Sequence, residues 1–215
     1  MIYIFGDSHA NNSYRNMSIN GIIIYDLHHP SITMHRIGRD GIIINFNEYK
    51  NSYTNNDIFI LCYGEIDCRC HIKKQINLGI DEEVIISELV NNYFHTIMGN
   101  ISKNNKIIIT AVIPPIRRES YEDIHGPITH EYPFVGTNEE RLRFTHKINR
   151  LLEFNCEKLS KQFGYSFHYF NPYSQYICED GHLDYSKTDN NVHIGNNNVI
   201  LEEFYIFYSK LFNVN

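Results

Sequence analysis

The chain has no tryptophan, no block of lysines and arginines, and no apolar run near the roughly 20 residues that span a bilayer. The first absence leaves tyrosine and phenylalanine as the only large aromatics for a core. The second goes with a net charge of -6 and argues against nucleic acid or an anionic membrane as partner. The third leaves no candidate for a membrane-spanning helix. A secretory leader is not expected either, since no basic segment opens the chain and the first apolar stretch stops at Gly6. The five cysteines are an odd number without framework spacing, which favours a reducing compartment and a cytoplasmic location.

What is present suits one α/β domain over residues 1–215. The hydrophobic fraction of 42% is that of an ordinary globular protein. Apolar runs predict strands at Ile2–Phe5, Ser31–Ile37, Ile58–Tyr63, Ile107–Ile113 and Phe167–Phe170. Acidic residues 81–83 followed by Ile86, Leu89, Tyr93, Ile97 and Ile101 at helical spacing predict a helix between the third and fourth strands. Thr137 and Glu140 form a capping-box pair that starts a second helix, through Leu159. Ile200, Leu201, Phe204, Tyr208 and Leu211 mark a third. Alternation of strands and helices implies a parallel sheet whose strand-end loops share one edge, where ligands bind. Residues 116–135 form a long polar connection with Arg117, Arg118, His125 and His130, expected to be a lid loop.

Directly after the first apolar run the chain reads Gly6-Asp7-Ser8-His9, and His193 lies inside Asp189-Asn190-Asn191-Val192-His193. Serine is a poor nucleophile until an imidazole takes its proton, so Ser8 paired with His193 carries chemistry that neither has alone. These residues resemble the SGNH, or GDSL-like, hydrolase superfamily. That family has Gly-Asp-Ser-x after its first strand, a glycine after its second, Gly-x-Asn-Asp after its third and Asp-x-x-His near the end. The anchors here are Ser8, Gly38, Gly64 and His193. The resemblance implies a three-layer α/β/α sandwich with a mostly parallel sheet, and ester hydrolysis or acyl transfer at Ser8. It also implies an oxyanion held by the backbone N–H groups of Ser8 and Gly38, with Gly41 as the alternative glycine.

The chain departs from this pattern twice. Three residues before His193 stands Asn190, with Asp189 one position further away, so either can orient the imidazole; Asp184 is a more distant candidate. The third block reads Gly64-Glu65-Ile66-Asp67-Cys68-Arg69, with Ile66 in the place of an asparagine that donates to the oxyanion. Glu65 or Asp67 paired with Arg69 can organise this loop or bind a sugar hydroxyl or carboxylate. Cys68, Cys70 and His71 are soft ligands without a second paired motif, so no metal and no cofactor are expected. By family analogy the substrate is a small molecule or glycan, an acylated carbohydrate or glycan intermediate. The alternatives are an acyl or methyl transferase of glycan biosynthesis and a binding module that has lost catalysis. The oligomeric state stays open.

Overall fold

The computed structural model describes residues 1–19, 21–43, 46, 53–129 and 132–212. Five strands, β1 (Ile2–Gly6), β2 (Ile24–Asp26), β3 (Ile58–Cys62), β4 (Lys106–Thr110) and β5 (Ser166–Phe170), form one sheet in the order β2-β1-β3-β4-β5. Every pairing is parallel, with Ile4 opposite Ile60 and Phe59 opposite Ile107. β1 and β3 are buried along their whole length, as parallel strands covered on both faces must be.

Successive side chains of each strand feed opposite layers. Tyr3, Phe5, Phe59, Leu61, Ile107 and Ile109 join a core with α2 (Met34–Asp40), α4 (Glu82–Asn100) and α6 (Asn138–Phe163). Ile2, Ile4, Ile58, Ile60 and Ile108 join a core with α1 (Ser8–Tyr14) and α7 (Asn198–Phe212). The result is the three-layer α/β/α sandwich expected. The helix signals hold: Asp81 accepts from the N–H groups of Glu83 and Val84 to start α4, and Thr137 and Glu140 close a capping box on α6. Among the described residues no helix is long and apolar enough to cross a membrane.

Two expectations are corrected. Ser31–Ile37 is not a strand. Thr33 Oγ1 accepts the Arg36 N–H at 3.0 Å and starts α2, and Gly41, in the left-handed region at φ 66°, ends it. The second strand is instead β2, three residues of partly exposed edge. The connection 116–135 is not structureless either, since Arg118–His125 forms the short helix α5; His130 lies outside the described residues. The remaining short helix, α3 (Ile72–Asn77), continues from a π-helical turn over Asp67–His71.

Gly38 consequently sits inside α2, against α4. A Cβ there would come within 2.8 Å of Asn92 Cβ, so this glycine lets two helices approach rather than exposing backbone to a ligand. Gly38→Val should lower the unfolding free energy by about 1–3 kcal/mol through overpacking, read from urea denaturation. Unchanged stability would remove the packing role.

Candidate active site

The strand-end loops of β1 and β3, together with the loop before α7, build the site. β1 ends at Gly6, where a Cβ would lie 2.5 Å from the Cys62 carbonyl oxygen of β3; the close approach requires glycine. Asp7 then caps α1, its Oδ1 accepting the His9 N–H at 2.8 Å. Ser8 is thereby the first residue of α1. Its N–H belongs to the first helical turn, which has no intrahelical carbonyl to bind.

The loop before α7 folds back on this point. Thr188 bridges Ile194, Asp189 N–H donates to His193 O at 3.0 Å, and Gly195 N–H donates to Lys187 O at 2.9 Å. A Cβ on Gly195 would lie 2.3 Å from Thr188 O, so the turn closes only around glycine. From α1, Asn12 Nδ2 donates to Ile194 O at 3.4 Å and the Arg15 guanidinium donates to Gly195 O. His193 Nε2 consequently stands 2.9 Å from Ser8 Oγ across 185 positions of sequence, and its Nδ1 stands 3.1 Å from Asp189 Oδ2. A carboxylate only accepts, so Nδ1 carries the proton and Nε2 accepts from the serine hydroxyl. Asp189, one position from the family spacing, is the carboxylate that meets the ring. Asn190 serves by its backbone. It has φ 64°, and its carbonyl accepts from Tyr185 Oη at 2.8 Å and from His125 Nε2 of α5 at 2.7 Å. Asp184 caps a turn at Ser186 instead.

Burial sets the electrostatics. Desolvation first, then the neighbouring His9, push the His193 imidazole down to about 4, against the pull of Asp189. The ring is thus neutral, as a base must be, over most of the pH range. Burial pushes the Asp7 carboxyl up to about 6, against the pull of His9 and its amide.

The third block is buried rather than displayed. Glu65 joins Arg69 at 2.9 Å and His9 Nε2 at 3.2 Å. Asp67 points elsewhere, accepting the Met34 and His35 N–H groups of α2 at 2.8 and 3.2 Å. Of the two pairings open in the sequence, Glu65–Arg69 is the one that forms. Arg69 also donates to Tyr132 O at 2.9 Å, while Val135 N–H donates to Arg69 O at 2.9 Å, fixing residues 132–135 on this loop. Ile66, only 4% exposed, adds no donor. Gly64, at φ 117°, gives Val112 and Met34 room that a Cβ would fill at 2.7 and 3.1 Å.

Gly38 does not reach the site. It lines a cavity of about 540 Å³ with His35, Asp67, His71 and Asn92, and neither Ser8 nor His193 borders that cavity. The chain that leaves β2 toward the edge is 27–33, where Ser31 takes φ 66°. Among the described residues no group of three or more metal-ligating side chains has the arrangement to hold a metal ion.

No family model and no curated protein matches this sequence. Solved structures do match its fold. A provisionally assigned platelet activating factor from Streptococcus pneumoniae superposes with a TM-score of 0.65 at 13% identity, over 96% of this chain and 82% of that one. A provisionally assigned acylhydrolase from Bacteroides fragilis reaches 0.55 at 13% identity, over 97% and 85%. A member of the lipolytic G-D-S-L family from Veillonella parvula reaches 0.48 at 12% identity, over 100% and 98%. The likeness is one of fold: the chain shares the α/β/α fold of the first two of these structures.

The geometry ranks the two acid candidates. Asp189→Asn should lower ester turnover by two or more orders of magnitude, because the imidazolium loses its carboxylate and the tautomer its anchor. Asn190→Gly, which keeps the carbonyl and tolerates φ 64°, should stay within about threefold of wild type. Initial rates on p-nitrophenyl acetate separate them, and the reverse ranking would move the orienting role to Asn190.

Proposed function

We propose that the protein is a serine-dependent acyl-ester hydrolase or acyltransferase. The observation that carries this is the 2.9 Å contact between Ser8 Oγ and a His193 ring already turned by Asp189. In the first half-reaction Ser8 Oγ attacks the ester carbonyl carbon while its proton passes to His193 Nε2. The oxyanion lies against the Ser8 N–H, and its collapse expels the alcohol, which takes the proton back from His193. The acyl-serine is then attacked by water, or by an acceptor hydroxyl, deprotonated by the same nitrogen; collapse breaks the acyl–Oγ bond, Ser8 takes that proton back from His193, and the acid or new ester leaves.

Ile66 bears on the choice between these outcomes. A lost oxyanion donor typically costs about 3 kcal/mol of transition-state stabilisation, so generic esters should turn over slowly and binding contacts of a dedicated substrate carry more of the rate. An acylated carbohydrate or glycan intermediate is our proposed substrate. Supporting it are the polar and aromatic groups of Tyr185, His125 and Asn12 around the Asp189 loop. The segment 116–135 acts as the lid in this reading. It is pinned at one end to Arg69, and through His125 it meets the Asn190 carbonyl.

Ser8→Ala and His193→Ala should each abolish p-nitrophenyl acetate hydrolysis while circular dichroism stays that of wild type. Wild-type turnover in both would refute the assignment. The pH profile gives a second test. A lowered histidine value keeps the base neutral further into acid, so kcat/KM should hold as pH falls and drop only near about 4. A limb at the ordinary histidine value, about 6.5, would contradict the desolvated setting of His193.

A further inference from the structure

The reaction just described leaves a buried charged group unused. His9, the residue after the nucleophile, is 3% exposed, and its ring centroid lies 4.7 Å from that of His193 at an interplanar angle of 52°. Behind it stand Glu65 and Arg69, at 6% and 8% exposure. Burying three ionisable side chains is costly unless each is paired, and here one carboxylate serves two cations. Below about pH 6, where the Asp7 carboxyl beside His9 is protonated, the sum on this side of His193 is one positive charge.

We propose that His9, kept charged by Glu65 and backed by Arg69, is a positioning residue that holds the His193 ring against Ser8 and keeps it uncharged. The proposal rests on the acyl-transfer reading of the Ser8 site. The charged groups nearest the His193 ring set the balance, while Arg15 of α1 and His125 of α5 reach its loop only at the Gly195 and Asn190 carbonyls. Its own loop supplies Asp189, whose carboxylate favours the proton. The third-block loop supplies Glu65, with the same sign, but committed to His9 and Arg69. α1 supplies His9, which opposes it, and Ser8, which is neutral; the Asp7 cap of that helix is close to His9 and, its carboxyl lying at about 6, is protonated below that pH. Burial opposes the charge as well. A proton on His193 would set a second imidazolium beside the first with only Asp189 to answer it. The ring therefore waits neutral until the serine proton arrives together with the negative charge of the oxyanion.

The carboxylate of Glu65 holds His9 above the usual histidine value even though burial works the other way. Between about pH 4 and that value, His9 is charged and His193 is not. In this chain the block that has lost the oxyanion asparagine thus acts on the base instead.

The test follows the His193 Cε1–H resonance with pH, in parallel with the pH profile of ester hydrolysis, in wild type, His9→Gln, His9→Phe and His9→Lys. In wild type His193 should titrate near 4 and His9 above the ordinary histidine value. Both uncharged variants should raise the His193 midpoint and the acid limb by about one pH unit, the scale of one like charge at this distance in a partly screened site. His9→Lys, which restores a cation next to Glu65, should leave both near 4. A merely structural His9 would lower the plateau rate and leave the limb where it is. The proposal is overturned by an unmoved midpoint in whichever uncharged variant folds, by a lysine variant that shifts as far as the glutamine one, or by the opposite order of the two histidines in wild type. The resonance reports without turnover. Coupled titrations with no hydrolysis by wild type would therefore sink the acyl-transfer reading, and hydrolysis with uncoupled titrations would sink the role of His9.

Discussion

Because every strand in the sheet runs the same way, each one hands its following loop to a single edge. The site depends on this constraint. β1 delivers Asp7, Ser8 and His9 there, and β3 delivers Gly64, Glu65 and Arg69. The loop before α7 brings Asp189 and His193 from the far end of the chain. That loop is held by the Thr188–Ile194 bridge, by Gly195 against Thr188, and by Asn12 and Arg15 reaching across from α1. The serine–histidine contact is thus fixed from both partners' sides by backbone that has little freedom to move, which is the preorganisation that acyl transfer needs.

A second consequence of that edge is the burial of charge. Continuous apolar strands leave no solvent beneath the third block, so Glu65, Asp67 and Arg69 had to find partners inside. Asp67 satisfies the first N–H groups of α2, and Glu65 satisfies Arg69 and His9. The π-helical turn over Asp67–His71, a feature frequent at functional sites, lies between these two tasks. One loop therefore joins the packing of α2 to the electrostatics of His193.

The sequence was most informative where one physical signal was strong. Three of the five strands, β1, β3 and β4, carry runs rich in Ile, Phe and Leu that need burial on both faces. The capping pair Thr137 and Glu140 marked the start of α6 correctly. The meeting of Ser8, His193 and Asp189 was legible because a serine followed by a distant histidine and carboxylate is a pattern with a chemical reason to converge. β2 was not legible, since three residues of half-exposed edge carry almost no pattern. Its absence shifted the second strand onto Ser31–Ile37 and with it placed Gly38 at the wrong edge. The signals for α2 were nevertheless in the chain, with Thr33 to start the helix and Gly41 to stop it. The position of His9 beside His193 was not legible, because a lone histidine has no spacing to read. The pairing of Glu65 with Arg69 four residues on, beside a buried strand, was the available hint that a charge network lies there.

Everything proposed for this edge turns on Ser8 being an activated nucleophile held by His193. Incubation with a fluorophosphonate, followed by intact mass and peptide mapping, tests it most directly, because phosphonylation needs the hydroxyl, its base and an open approach but no particular substrate. Folded wild-type protein should give a single adduct, on Ser8, lost in His193→Ala. No adduct on folded wild-type protein, or an adduct on another residue with Ser8 untouched, would contradict it.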